Sequence, residues 1–175
     1  MMQAQKLEEL QNRQAIRERL YSYHRAVERA DRAGLEDIYW PDAYESHGAF
    51  EGPARDFVTW GLALRSTFEA STHQMHNILF QFDLPGAAVE TSFTSLSRRR
   101  DAYGVVGVDY ICGRYLDWFE KRGDAWRIAK RRVVFDWCEQ PSATPGIHPD
   151  RFGKRFPVGE PSSNDPLYEL LKRER

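Results

Sequence analysis

Tyr23 and Glu28 lie near the end of an amphipathic N-terminal stretch, and His73 lies in the run Ser71-Thr72-His73-Gln74-Met75-His76-Asn77 that opens the first long β-patterned segment. A phenol, a carboxylate and an imidazole are the parts needed to move a proton without a metal or cofactor, provided the fold converges them in one pocket. Elimination of water beside an activated C–H bond needs a base, a proton donor for the leaving hydroxyl or a neighbouring carbonyl, and a dry site. In such a site His73 is the general base and Tyr23 the donor, while Glu28 accepts from one ring nitrogen and fixes the tautomer of the other. The carboxylate is also expected to raise the His73 pKa above its usual value of about 6.5. On a regular strand His73, Met75 and Asn77 share one face, whereas His76 faces the other way with Ile78 and Phe80. This parity favours His73 over His76 and places Asn77 beside it.

Other residues are candidates for shaping the pocket. Tyr44, Phe50, Trp60, Phe93 and Trp137 could wall it. Asp31 either lines the site or ends one helix and feeds the next turn. Arg131 stands within Lys130-Arg131-Arg132, a run that ordinarily marks an exposed charged edge. His73 and His76 point apart at i and i+3 on a strand and have no third ligand at suitable spacing, so no metal is expected. Tyr23 also falls on the apolar stripe of its helix, where it would serve as core. His24, His47 and His148 receive no role.

Composition limits the classes open to this chain. With 175 residues, 41% hydrophobic and 13% aromatic, it suits one globular domain with a single core. The 25 basic and 26 acidic side chains give a formal charge of −1, so no global field attracts nucleic acid or acidic lipid, and a small-molecule partner is expected instead. No segment has the length and apolarity of a signal peptide or membrane span, so a cytoplasmic location is expected. Cys112 and Cys138 lack metal-ligand spacing and read as reduced core thiols.

The elements that must position the candidates follow from periodicity. Ile16, Leu20, Tyr23, Val27 and Asp31 recur at helical spacing and mark a helix over 7–31. A shorter helix follows over 35–39, stopped by Pro41, and a third runs from Pro53 through Trp60, Leu64 and Phe68. From Thr72 the period becomes two, predicting strands over 72–83, 87–100, 103–121 and 125–139 joined by short turns, an antiparallel meander. Several strands are apolar on both faces. A sheet covered by helices on one side only should not be, so its outer face, with Ile78, Phe80 and Phe82, is expected to be buried in a homo-oligomer. Residues 140–175 hold six of the nine prolines and read as a tail or lid of the same domain, with a short helix starting near Asn164-Asp165-Pro166.

Helices followed by a long meander, together with Tyr23 to Asp31, Ile38-Tyr39-Trp40-Pro41-Asp42-Ala43, His47-Gly48-Ala49-Phe50-Glu51-Gly52, Thr72 to Asn77 and Trp126-Arg127-Ile128-Ala129-Lys130-Arg131, resemble the SnoaL-like branch of the nuclear transport factor 2-like superfamily. The resemblance spans nearly all of 7–139 and implies an α+β cone, with three N-terminal helices packed on a curved antiparallel sheet that encloses a pocket. Within the superfamily the pattern is most similar to the group containing scytalone dehydratase, hexachlorocyclohexane dehydrochlorinase and bile acid 7α-dehydratase. That resemblance implies a cofactor-independent lyase with His73 as the base, Glu28 where an Asp usually orients it, and Tyr23 at the place of a catalytic tyrosine. It further implies that Arg131 is an active-site arginine in contact with substrate, and that the chain forms a homotrimer, with a dimer as the alternative. The superfamily also contains isomerases, cyclases and non-catalytic subunits or binding modules, so these activities stand beside elimination.

Overall fold

The computed structural model of the chain describes residues 2–83, 85–100, 103–139 and 162–164. Helix α1 (Met2–Glu28) buries Ile16, Leu20, Tyr23 and Ala26 along one stripe. Each large apolar side chain taken fully from water there stabilises the fold by about 1.5–3 kcal/mol. The helix ends in a paired backbone motif: Ala30, at φ 52°, donates to the Val27 carbonyl, and Asp31 donates to that of Ala26. Asp31 then caps α2 (Arg32–Ile38), its carboxylate accepting from the Gly34 N–H at 3.0 Å. This tight reversal sets the end of α1, with Tyr23 and Glu28, over the sheet.

The strands are β1 (Tyr39–His47), β2 (Phe50–Pro53), β3 (Phe68–Asp83), β4 (Gly86–Arg100), β5 (Val106–Arg122) and β6 (Ala125–Glu139), with α3 (Ala54–Arg65) between β2 and β3. They form one curved, unclosed sheet in the order β2-β1-β6-β5-β4-β3. The meander β3 to β6 follows the expected pattern. The hairpin β1–β2 does not, because Pro41 reads as a helix stop rather than as part of a strand. Strand β1 pairs parallel with β6, which makes the sheet mixed. Phe57 and Val58 of α3 and the apolar stripe of α1 close one face of the sheet over a common core with Tyr39, Phe93, Tyr115, Phe119 and Ile128.

A break in strand parity redirects β3. Met75 pairs with Phe93 but Ile78 pairs with Thr91, so three steps on β3 match two on β4. Beyond this bulge Ile78, Phe80 and Phe82 turn inward and pack on the core, with the Arg13 guanidinium 5.2 and 5.4 Å from the Phe80 and Phe82 rings. They are therefore not the outer residues that regular alternation predicts, and Asn77 is exposed rather than beside His73. The outer face instead carries the register row Leu79, Glu90, Leu116 and Arg132. Most of the expected tail over 140–175, including the helix from Asp165 onward, lies outside the described residues.

Candidate active site

Between α1, α3 and the concave face of the sheet lies an interior cavity of about 160 Å³. Tyr23, His73, Trp60 and Phe93 line it, together with His47, Arg65, Ser71, Ser95, Ser97 and Tyr115. The register explains the meeting: His73 pairs with Ser95 across β3 and β4, and Phe93 pairs with Gly113. A Cβ on Gly113 would stand 2.9 Å from the Phe93 ring and 2.4 Å from the Val134 carbonyl, so only glycine lets that ring lie flat against β5. Phe93 in turn stacks on Tyr115 at 4.3 Å between centroids. A larger depression of about 610 Å³ lies on the outer sheet face and is open. Proton transfer that needs exclusion of water is better served by the interior cavity.

His73 reaches the cavity, but its relation to Glu28 differs from the expected dyad. The Glu28 carboxylate accepts from the backbone N–H of His73 at 2.7 Å and from the Thr72 hydroxyl at 3.4 Å, and it pairs with Arg29 at 3.0 Å. No hydrogen bond joins it to the imidazole, whose Nδ1 is buried without a partner. Glutamate, one methylene longer than aspartate, is spent on pinning the β3 backbone to the end of α1. Desolvation therefore outweighs the Glu28 charge, with His47 and Arg65 adding to the fall, and the His73 pKa drops to about 4 instead of rising. The imidazole is neutral at pH 7. His24, 9% exposed, packs its ring 6.0 Å from that of His73 and has no partner on either nitrogen; burial lowers its pKa to about 3.

Tyr23 lines the cavity at 3% exposure, and burial pushes its pKa up to about 12, so the phenol keeps its proton. Behind it stands Arg131, fully buried and bound to Asp117 by bonds of 2.6 and 2.8 Å. Its guanidinium lies 4.1 Å from the Tyr23 ring centre and 4.3 Å from that of Tyr115. Arg131 is thus separated from the cavity by two aromatic rings, and it is neither the exposed edge residue that its basic run predicts nor a cavity-lining one. Desolvation raises the Asp117 pKa, opposed by Arg131.

Of the remaining candidates, Asp31 caps α2 and Asn77 is exposed, so neither lines the cavity. Tyr44 and Trp137 are 40% and 53% exposed, the latter edge-on to Tyr110 at 5.2 Å. Phe50 supports the wall from behind, 5.6 Å from both Phe57 and Trp60. Two residues without an assigned role belong here. His47 lines the cavity and stacks on Phe57 at 4.9 Å, and the fully buried Glu45 lies 3.1 Å from its Nδ1. Their i, i+2 spacing is the sequence signal, hidden because β1 is not read as a strand. Among the described residues no group of three or more His, Cys, Asp or Glu could hold a metal ion, and no helix is long and apolar enough to cross a membrane.

Known structures share this architecture. Hexachlorocyclohexane dehydrochlorinase LinA-type3 from Novosphingobium barchaimii LL02 superposes with a TM-score of 0.67 at 18% identity, over 81% of this chain and 98% of that one. A scytalone dehydratase-like protein from Novosphingobium aromaticivorans DSM 12444 gives 0.64 at 20% identity, over 79% and 91%. Kfla4162 from Kribbella flavida gives 0.66 at 14%, over 74% and 93%. At such identities the likeness establishes the fold alone. No curated protein matches the sequence. The profile of the SnoaL-like domain matches residues 8–132, most of the chain, and the protein belongs to that family.

Proposed function

We propose that the interior cavity is the active site of a lyase that eliminates water or halide from a small, apolar, cyclic substrate using side chains of this chain alone. The observation that carries this reading is that His73 and Tyr23 line one aromatic-walled cavity, where burial holds the imidazole below and the phenol above their ordinary pKa values. His73 accepts the proton from carbon, and the Tyr23 phenol donates to the oxygen on which charge develops. Glu28 positions the base through its backbone rather than through its ring. Similarity in fold to a dehydrochlorinase and a dehydratase-like protein supports the reaction class. An isomerase or cyclase would begin with the same abstraction, and the product separates these outcomes.

The test is turnover of a panel of small cyclic alcohols, β-hydroxy ketones and alkyl halides, read by mass spectrometry for loss of water or hydrogen halide. His73→Ala should lower kcat on the order of 100-fold or more. Tyr23→Phe should lower kcat more than it weakens substrate binding, as expected of a contact made mainly in the transition state. Near-normal turnover by His73→Ala would remove the base assignment.

A further inference from the structure

His47 ends β1 with its ring stacked on Phe57 and 6.1 Å from the Phe135 ring, and it lines the cavity that His73 also faces. Glu45 lies two residues earlier, on the same strand face, and is fully buried. Its Oε1 is 3.1 Å from His47 Nδ1, while its Oε2 has no partner. Parallel pairing sets Glu45 beside Arg131, and antiparallel pairing sets Arg131 beside Asp117. Two carboxylates and one guanidinium therefore occupy one buried row. Arg131 is committed to Asp117 by two short bonds. One negative charge is left on Glu45, and an uncompensated charge in so buried a place is unfavourable.

A proton held between Glu45 and His47 removes that charge. If it sits on the ring, the imidazolium carries hydrogen on both nitrogens. If it sits on the carboxyl, Nδ1 accepts from that group and the neutral ring keeps its hydrogen on Nε2. Nε2 is thus a donor in either arrangement. Resting on the elimination reading above, we infer that His47 is the catalytic proton donor to the leaving group, with Glu45 as its positioning residue, and that the substrate loses a hydroxyl rather than a halide. His73 takes the proton from carbon, and the electron pair of the C–H bond becomes the new π bond. The C–O bond breaks with its pair on oxygen, and that oxygen takes the Nε2 proton and departs as water. His73 has then gained one proton and His47 lost one, and exchange with solvent restores both. Tyr23 serves the carbonyl beside the carbon that loses its proton. A halide leaves without such a donor, so the pair has a use only when oxygen departs.

The experiment is ¹⁵N–¹H correlation of the imidazoles in ¹⁵N-labelled protein at pH 7, without substrate. The His47 ring is assigned by the signal lost in His47→Gln or, if that variant does not fold, by contacts of its ring protons with Phe57 and Trp60. His47 should show a protonated Nε2 at pH 7, and Glu45→Gln should weaken that Nε2–H signal. A bare Nε2 on His47 in the wild type overturns the inference, and an unchanged Nε2–H signal in Glu45→Gln overturns the role of Glu45. A protonated His73 beside an Nε2–H His47 removes the base assignment while leaving the donor intact, so the two readings fail separately.

Discussion

Replacing Arg131 by methionine isolates the energetics of the buried row. The substitution keeps a long apolar side chain between Tyr23 and Tyr115 but removes both bonds to Asp117, leaving that carboxylate fully enclosed without a counter-charge. Breaking one partner of a buried pair costs about 3–5 kcal/mol. With about 2–4 °C of Tm per kcal/mol for a chain of this size, the melting temperature should fall by roughly 6–20 °C. Because Asp117 already has a raised pKa, loss of the guanidinium should raise it further, and the variant should recover part of its stability as pH is lowered and the carboxyl takes up a proton. Asp117→Leu combined with Arg131→Met removes the charges together and should be much less destabilising than Arg131→Met alone. Urea denaturation at several pH values, with thermal melts followed by near-ultraviolet circular dichroism, measures all of these. A cost below about 1 kcal/mol for Arg131→Met, or a double variant no better than the single, would refute the account of Arg131 as a structural cation.

His24 and His73 make stability depend on pH. Their folded pKa values of about 3 and about 4 lie below the unfolded value of about 6.5, so the contribution is complete above about 6.5 and is lost as pH falls toward the folded values. Between pH 7 and 5 each should account for about 2 kcal/mol, and His24→Leu should flatten the urea-midpoint profile over that window; an unchanged slope would count against it. Glu28→Ala frees the His73 backbone N–H and should cost about 1–3 kcal/mol, whereas Glu28→Gln retains an acceptor and should cost less; equal losses in urea titrations would assign the effect to charge instead. For assembly we propose a homotrimer through the outer sheet face, where Leu79 is 65% and Leu116 36% exposed, so light scattering should return about three chains per particle and Leu79→Glu should reduce that number. A monomeric wild type at micromolar concentration would dismiss it.

Local pattern determined a great deal about this protein. The stripe Ile16, Leu20, Tyr23, the turn residues between long period-two runs, and Pro53 before a second apolar stripe establish the helices and the four-stranded meander, because burial selects side chains at the period of the element that carries them. The meeting of Tyr23, His73, Trp60 and Phe93 around a cavity follows from these elements. Tertiary structure decided the rest. Parity along β3 holds only until the bulge between Met75 and Ile78, after which one extra residue exchanges the two faces and sends Asn77 outward and Phe80 inward. Arg131 looks like an exposed edge charge in its own run, and only pairing with β5 buries it against Asp117. Glu45 and His47 draw no notice until β1 joins β6 in parallel, since that contact spans more than eighty residues of chain and has no local periodicity. Whether Glu28 meets the ring or the backbone of His73 is likewise set by the exact seating of α1 on the sheet, a matter of ångströms that residue types and spacing do not encode.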